Sequence, residues 1–342
     1  MIETFNLASG DKARLPQGFL FGTYEEAAAG TGCTAIILPE GATGAVAVRG
    51  GAPATRETDL LDPINMVEVL HSVVLSGGSA FGLDSASGVM RWLEEQQIGL
   101  KFAGQCIPIV SAACIFDLPV GDPTVRPDAD WGYRAAANAR HRISTGNVGA
   151  GTGATVGKML GAEFAMKAGQ GAASLSVGEL VITAVAVANA IGNIYSGQRS
   201  RMVAGVRDPE RPLSILDPYQ ALFTQAMAEM PEKESPLLTE GEAAAARANT
   251  TISCLMTNAQ LNKAQATRVA SMAHDGYARS IEPVHTANDG DTVFVMASNQ
   301  IQANPDLVGI LAARVMEAAI INAALDAEGA YGLPASRDLL EK

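Results

Sequence analysis

Thr250 is the residue around which this sequence could do chemistry. It stands in Arg247-Ala248-Asn249-Thr250-Thr251-Ile252-Ser253-Cys254, where a polar, alanine-rich lead-in turns abruptly into an apolar run. Were the Asn249–Thr250 peptide bond cut, Thr250 would carry a hydroxyl nucleophile and its own amine base on one residue, a known way to activate a threonine. Other residues supply what such a nucleophile needs. Lys158 follows eleven residues of Asn, Val, Gly, Ala and Thr with no other charge, so a glycine-rich loop delivers a lone cation suited to stabilising an amide oxyanion. Asn189 ends a run of small apolar residues and is a candidate oxyanion donor. Asp289-Gly290-Asp291 precedes Thr292-Val293-Phe294-Val295-Met296, and either carboxylate could face the Thr250 amine and hold its proton. Each has a plainer reading: a Thr-rich strand, a solvated lysine, a turn asparagine, an Asp-Gly turn. Thr251 is a rival nucleophile, but in a strand it points to the face opposite Thr250.

The elements that would position these residues follow from pattern. Short strands are expected at 18–22, 33–38 and 44–48, punctuated by Gly and Pro. Asp62-Pro63 offers an N-cap and first-turn proline for a helix running to Leu75. A second helix should carry Leu83, Ala86, Met90 and Leu93 at helical spacing. A buried strand is expected at 107–117, a helix at 127–140, and strands at 172–177 and 180–187 ending at Asn189. After a helix at 218–228 comes a charged, exposed segment at 231–248. The Thr250 strand, an amphipathic helix at 261–277, a strand at 291–298 and an alanine-rich helix at 307–325 complete an α/β or α+β layered domain.

Composition bounds the function. Of the 342 residues, 48% are hydrophobic and 5% aromatic, and 35 are glycines, which describes a core packed through small residues. A net charge of −12 disfavours nucleic acid and anionic membrane as partners. No leader segment is read at the N-terminus, and no apolar run reaches membrane-spanning length without Gly or polar interruption. Cys33, Cys106, Cys114 and Cys254 lie in apolar runs without a CxxC pair, as free thiols of a reducing cytoplasm would. The four histidines show no ligand spacing, so neither metal nor cofactor is expected. The passage 146–158 fits a dinucleotide fingerprint only in its loosest form. It fails as a phosphate-binding Walker loop, because Thr152 takes the place of the first glycine and Met159 that of the metal-binding hydroxyl.

Taken in order, these motifs resemble the DmpA-type aminopeptidases, the peptidase S58 or P1 family, which includes the nylon-oligomer hydrolases. The resemblance rests on Arg49-Gly50-Gly51-Ala52-Pro53, on 75–83, on Ile107-Pro108-Ile109-Val110, on 149–158, on Asn249-Thr250-Thr251-Ile252, and on His285-Thr286 with Asp289-Gly290-Asp291. It implies an αββα sandwich like that of N-terminal-nucleophile hydrolases, with its own connectivity. It implies one domain, 1–342, self-cleaved between Asn249 and Thr250 into fragments 1–249 and 250–342 that stay together. Thr250 would be the nucleophile, Lys158 and Asn189 the oxyanion side, and Asp289 and Asp291 its acidic partners. The substrate would be a small amide or short peptide, and the assembly a homo-oligomer, a tetramer or larger. Where several members carry a tyrosine before an aspartate, this chain has Phe116-Asp117, so Phe116 would line the pocket without that hydroxyl. Two alternatives are an ornithine-acetyltransferase-like acyltransferase, which also frees a threonine, and an uncut binding scaffold.

Overall fold

The computed structural model describes residues 7–197, 199–211, 213–229 and 249–340; the segment 231–248 lies outside them. One long strand, Thr31–Val48, organises the architecture. Residues 31–37 pair with Leu20–Glu26 on one side and Leu70–Ser76 on the other, followed by parallel Val110–Cys114 and the short edge strand Thr55–Arg56. Residues 43–48 of the same strand pair instead with Thr292–Ile301. Beyond that come Thr250–Ala259 (parallel), Leu180–Asn189, Gln170–Val177 and Leu7–Ser9. The sequence read 33–38 and 44–48 as separate strands. They are one strand that bends at a register shift between Ile37 and Ala42, where Pro39 cannot donate and Gly41 has φ +80°.

Three apolar cores fill three interlayer spaces. Phe21, Ile36 and Leu75 from one half of the bent sheet meet Val185, Ile252, Met256 and Phe294 from the other. Ser85–Glu95 and Ala129–Ala137 cover the first half through Ala86, Val89, Leu93 and Ala135. Lys263–Ser280 and Pro305–Leu325 cover the second through Val269, Tyr277, Val315 and Ile320. The layering is helix–sheet–sheet–helix, the αββα sandwich that the resemblance implies. Its closeness explains the Gly and Ala content. A Cβ at Gly171 would lie 2.2 Å from Ala319 O, and one at Gly276 2.5 Å from Ala313 O, so helix meets sheet and helix meets helix at backbone distance. Pro305–Leu325 is long and apolar enough to cross a membrane, but 67% of its most apolar window is buried in this packing.

The expected helix from Asp62 to Leu75 is corrected. Its second half is the strand Leu70–Ser76, buried on both faces, and its first half is turns. His71, Ser72 and Ser76 break any helical or alternating apolar period in this buried run, and its two β-branched valines, Val73 and Val74, favour the sheet. The strand expected at 107–117 is confined to Val110–Cys114, while Gln105–Ile107 turns back on Leu100–Phe102. The remaining helices and strands fall within a few residues of expectation.

Candidate active site

Thr250 begins a strand flanked by two others whose ends also carry candidate groups. In the register, Asn189, the last residue of its strand, sits directly opposite Thr250. On the other side Ile252 pairs with Thr292, and a parallel bridge joins Asn249 to Asp289. Thr250, Asn189, Asp289 and Asp291 are all at most 4% exposed. Ile252, Cys254 and Met256 face the inter-sheet core, so alternation puts Thr250 on that side and Thr251 on the helix side.

The Asn249–Thr250 peptide is clamped. The Asn249 N–H donates to Asn288 O at 3.2 Å, and its carbonyl accepts from Gly290 N–H at 2.9 Å. The Thr250 hydroxyl also donates to that carbonyl. Gly290 has to be a glycine here, since a Cβ would lie 2.8 Å from both Thr250 Oγ1 and Ala52 O. The loop is braced from behind by Arg49-Gly50-Gly51-Ala52. Arg49 N–H donates to Asp291 O at 3.0 Å and Ala52 N–H to Asp289 O at 2.8 Å, an approach a Cβ at Gly50 would block.

Lys158 and Asn189 form one unit. The Lys158 ammonium donates to Asn189 O and to Asn189 Oδ1, both at 2.9 Å. The same Oδ1 accepts from Thr155 N–H at 3.1 Å, and Asn189 Nδ2 donates to Phe116 O at 3.0 Å. The amide is therefore fixed, with one of its two N–H groups committed to Phe116. Burial pushes the Lys158 ammonium down to about 7, partly offset by the charges of Asp289 and Asp117. A cation so little solvated is strongly attractive to charge developing nearby.

The two aspartates divide their contacts. Asp291 Oδ1 accepts from Thr251 N–H at 2.8 Å, and Oδ2 from His285 Nδ1 at 2.8 Å and His285 N–H at 3.2 Å. Asp289 Oδ2 accepts from the Thr286 hydroxyl at 2.7 Å and Thr286 N–H at 2.8 Å. Burial, and then the charge of Asp291, raise the Asp289 carboxyl above its ordinary range.

Phe116 lines a 260 Å³ cavity with Val120, Thr155, Lys158, Tyr331 and Leu333, so mostly apolar walls, with Glu163 the one carboxylate among them, surround the lysine. Its neighbour Asp117 is buried and pushed up to about 6 by that burial, accepting from Gly78 N–H and the Thr31 hydroxyl at 2.7 Å each. The glycine-rich loop holds no phosphate cradle. Gly149 N–H donates to Glu25 at 2.8 Å, Ala150 N–H to Thr34 at 3.1 Å, and Thr152 and Ala154 N–H to the loop's own carbonyls.

Sequence reasoning missed four groups. Lys167 is a second buried lysine beneath the same loop, donating to Gly151 O and Ala154 O at 3.1 Å each and to Ala168 O. Glu163, four residues earlier, and the larger Phe164 and Met166 beside it make it read as an ordinary lysine. His285 stands beside Thr286 ahead of the Asp-Gly-Asp run, where no spacing gives it a role. The Gly290 N–H has no side-chain signature, and Asp117 was noted only for the residue before it.

A four-layer α/β sandwich with a buried strand-end threonine, an enclosed lysine and paired carboxylates has the groups that amide hydrolysis needs. The comparisons agree. The profile of Peptidase family S58 matches residues 17–336. An uncharacterized aminopeptidase of Mycobacterium tuberculosis is 39% identical, over 90% of this chain and 89% of that one. A 6-aminohexanoate-oligomer endohydrolase of Paenarthrobacter ureafaciens is 30% identical, over 88% and 81%. In fold, the chain is similar to the L-aminopeptidase D-Ala-esterase/amidase of Ochrobactrum anthropi, described as a variant of the Ntn-hydrolase fold. That match has a TM-score of 0.66 at 19% identity, covering 94% of this chain and 88% of that one. This chain belongs to peptidase family S58 and is an amide hydrolase.

Proposed function

We propose that the chain cuts itself between Asn249 and Thr250 and then hydrolyses small amides or short peptides with Thr250 as nucleophile. The observation that carries this is the clamped peptide, whose carbonyl takes both the Thr250 hydroxyl and the Gly290 N–H. In the first stage Thr250 Oγ attacks the Asn249 carbonyl carbon. The oxyanion is met by Gly290 N–H, the C–N bond breaks with its nitrogen taking the hydroxyl proton, and an ester remains. Water hydrolyses the ester, leaving an Asn249 carboxylate and a free Thr250 amine.

In the second stage that amine takes the proton from Oγ as Oγ attacks a substrate amide. Lys158, steered by Asn189, faces the developing charge. The amine product leaves with the proton, and water releases the acid. The largely apolar cavity beside Lys158 suits an acyl chain, and the activities for which the relatives are named, aminopeptidase and 6-aminohexanoate-oligomer endohydrolase, favour amino-acyl amides.

The fragments 1–249 and 250–342 remain one domain because the smaller supplies two inner strands and two covering helices. Buried Cys33, Cys114 and Cys254 are free, which suits a reducing cytoplasm. Assembly into a homo-oligomer remains part of the same proposal.

The test is a denaturing gel with N-terminal sequencing. Wild type should give a small fragment beginning Thr-Thr-Ile, and Thr250→Ala one full-length band. Two fragments from Thr250→Ala would sink the assignment.

A further inference from the structure

We propose that His285 is a positioning residue. Its pairing with Asp291 fixes the backbone of Thr251 and, through it, the direction in which Thr250 Oγ points. The proposal rests on Thr250 being the nucleophile and adds to that reading a role for a residue that never touches the reacting atoms.

His285 holds φ +58°, a left-handed conformation that costs a β-carbon residue roughly 1 kcal/mol and persists only where surroundings impose it. That backbone turn brings both its N–H and its Nδ1 onto one oxygen, Asp291 Oδ2, at 3.2 and 2.8 Å. A carboxylate accepts, so Nδ1 carries the proton. The other oxygen, Oδ1, holds Thr251 N–H at 2.8 Å. With both oxygens engaged, the carboxylate plane is set from the His285 side.

The imidazole cannot swing away. It lies edge-on to His274 at 4.8 Å between centroids and stacked on Tyr277 at 5.7 Å. Tyr277, on the helix Lys263–Ser280, completes the frame. Its hydroxyl lies 3.2 Å from Thr251 O, 3.2 Å from Thr292 O and 2.9 Å from Ser253 Oγ. His274 is anchored on Ala47 O at 2.9 Å and pushed down to about 4 by burial, which leaves it a neutral wall. Both backbone polar groups of Thr251 are thus gripped by one cluster on the helix side of the sheet. Thr250, one residue earlier, projects to the other side.

The two aspartates then have separate duties. Asp291 is spent on the backbone, whereas Asp289 engages the Thr286 donors through one oxygen only among the described residues. Asp289 is the carboxylate left to meet the new amine.

The experiment compares wild type with His285→Phe, His285→Asn and His285→Gln. Phe keeps a ring without a donor, Asn places an amide N–H where Nδ1 was, and Gln places it where Nε2 was. Readouts are the rate of self-cleavage by intact mass, kcat and KM on a chromogenic amino-acid anilide, and the melting temperature.

His285→Phe should lower the self-cleavage rate and kcat roughly 10–100-fold, with KM within about threefold, as a misaimed nucleophile would. His285→Asn should recover most of that loss and His285→Gln should not. Wild-type rates in a folded His285→Phe, or equal loss in His285→Asn and His285→Gln, would overturn the proposal. Should His285→Phe fail to fold, the Asn–Gln comparison decides alone. If wild type itself is uncut and inactive, the fault lies with Thr250, not with His285.

Discussion

Gly290→Ala inserts one methyl group at the clamped peptide. The added Cβ would lie 2.8 Å from Thr250 Oγ1, 3.1 Å from Thr250 Cγ2 and 2.8 Å from Ala52 O. The closest contacts fall about 0.6 Å short of the 3.4 Å at which ordinary contact begins. Gly290 is not in the left-handed region, so an alanine meets no backbone penalty and the whole effect is steric. Ala52 is tied to Asp289 by a 2.8 Å bond and cannot yield, so Thr250 must move by roughly that shortfall. Overpacking of this kind costs about 1–3 kcal/mol in stability. Displacing a nucleophile by 1 Å costs on the order of 10²-fold in rate, so a shift of half that size should slow self-cleavage at least tenfold. Protein made at low temperature and followed by intact mass gives the rate, while a thermal melt separates misalignment from misfolding. A Gly290→Ala chain that melts cooperatively and cuts itself as fast as wild type would refute the idea that Gly290 holds the scissile carbonyl and its nucleophile in register.

Lys167 offers a stability test, carried out in the Thr250→Ala background so that a single chain unfolds. Burial pushes Lys167 from 10.5 to about 7, so below pH 7 it is protonated both folded and unfolded. Between 7 and 10.5 the unfolded chain holds a proton that the folded chain has released, and folding gains with rising pH. The unfolding free energy of the Lys167 protein should therefore climb relative to Lys167→Met by about 1.4 kcal/mol per pH unit over that window. Parallel curves in denaturant titrations at pH 6, 7.5 and 9 would count against a neutral buried lysine. Asp289→Asn tests the cation at Lys158, whose depressed value is held up in part by the Asp289 charge. Removing that charge lowers the ammonium further, so a reaction needing it cationic should lose its alkaline limb at a lower pH. Residual kcat measured from pH 5 to 9 checks this, and a limb that stays put or moves alkaline argues against Lys158 acting as a cation.

Much of the architecture was legible because most elements keep a period. The Thr250 strand, the helix Lys263–Ser280 and the strand Leu180–Asn189 were readable from patterning alone. The strand Leu70–Ser76 was not, because Asp62-Pro63 just before it is a helix-start signal that reads the apolar positions from Val67 to Leu75 as one helix. Nor was the continuity of Thr31–Val48, since Pro39 and Gly41 signal a turn as readily as a bend. At the candidate site, side chains of unusual type or context stand out in the sequence and backbone donors do not. Thr250, Lys158 and Asn189 stood out in the sequence. The Gly290 N–H reaches Asn249 only because two strands, Thr250–Ala259 and Thr292–Ile301, lie parallel, a pairing settled by the helix that crosses between them. His285 and Tyr277 face each other through that same crossover, 26° apart in ring plane.

The position of the proposed cut within the sheet carries a consequence for the life of the molecule. The Thr250–Ala259 strand has neighbours on both sides, and the chain is continuous through it when the domain first folds. Once Asn249 and Thr250 part, refolding would need two molecules to meet, and its rate would fall with dilution. Neither piece could bury its apolar faces alone: the larger would have a gap in the middle of its sheet, the smaller two strands without antiparallel partners. The fold would be reached once as a unimolecular event and thereafter held by the slowness of unfolding. Heat or denaturant should then inactivate the cut protein irreversibly, whereas the uncut Thr250→Ala chain refolds.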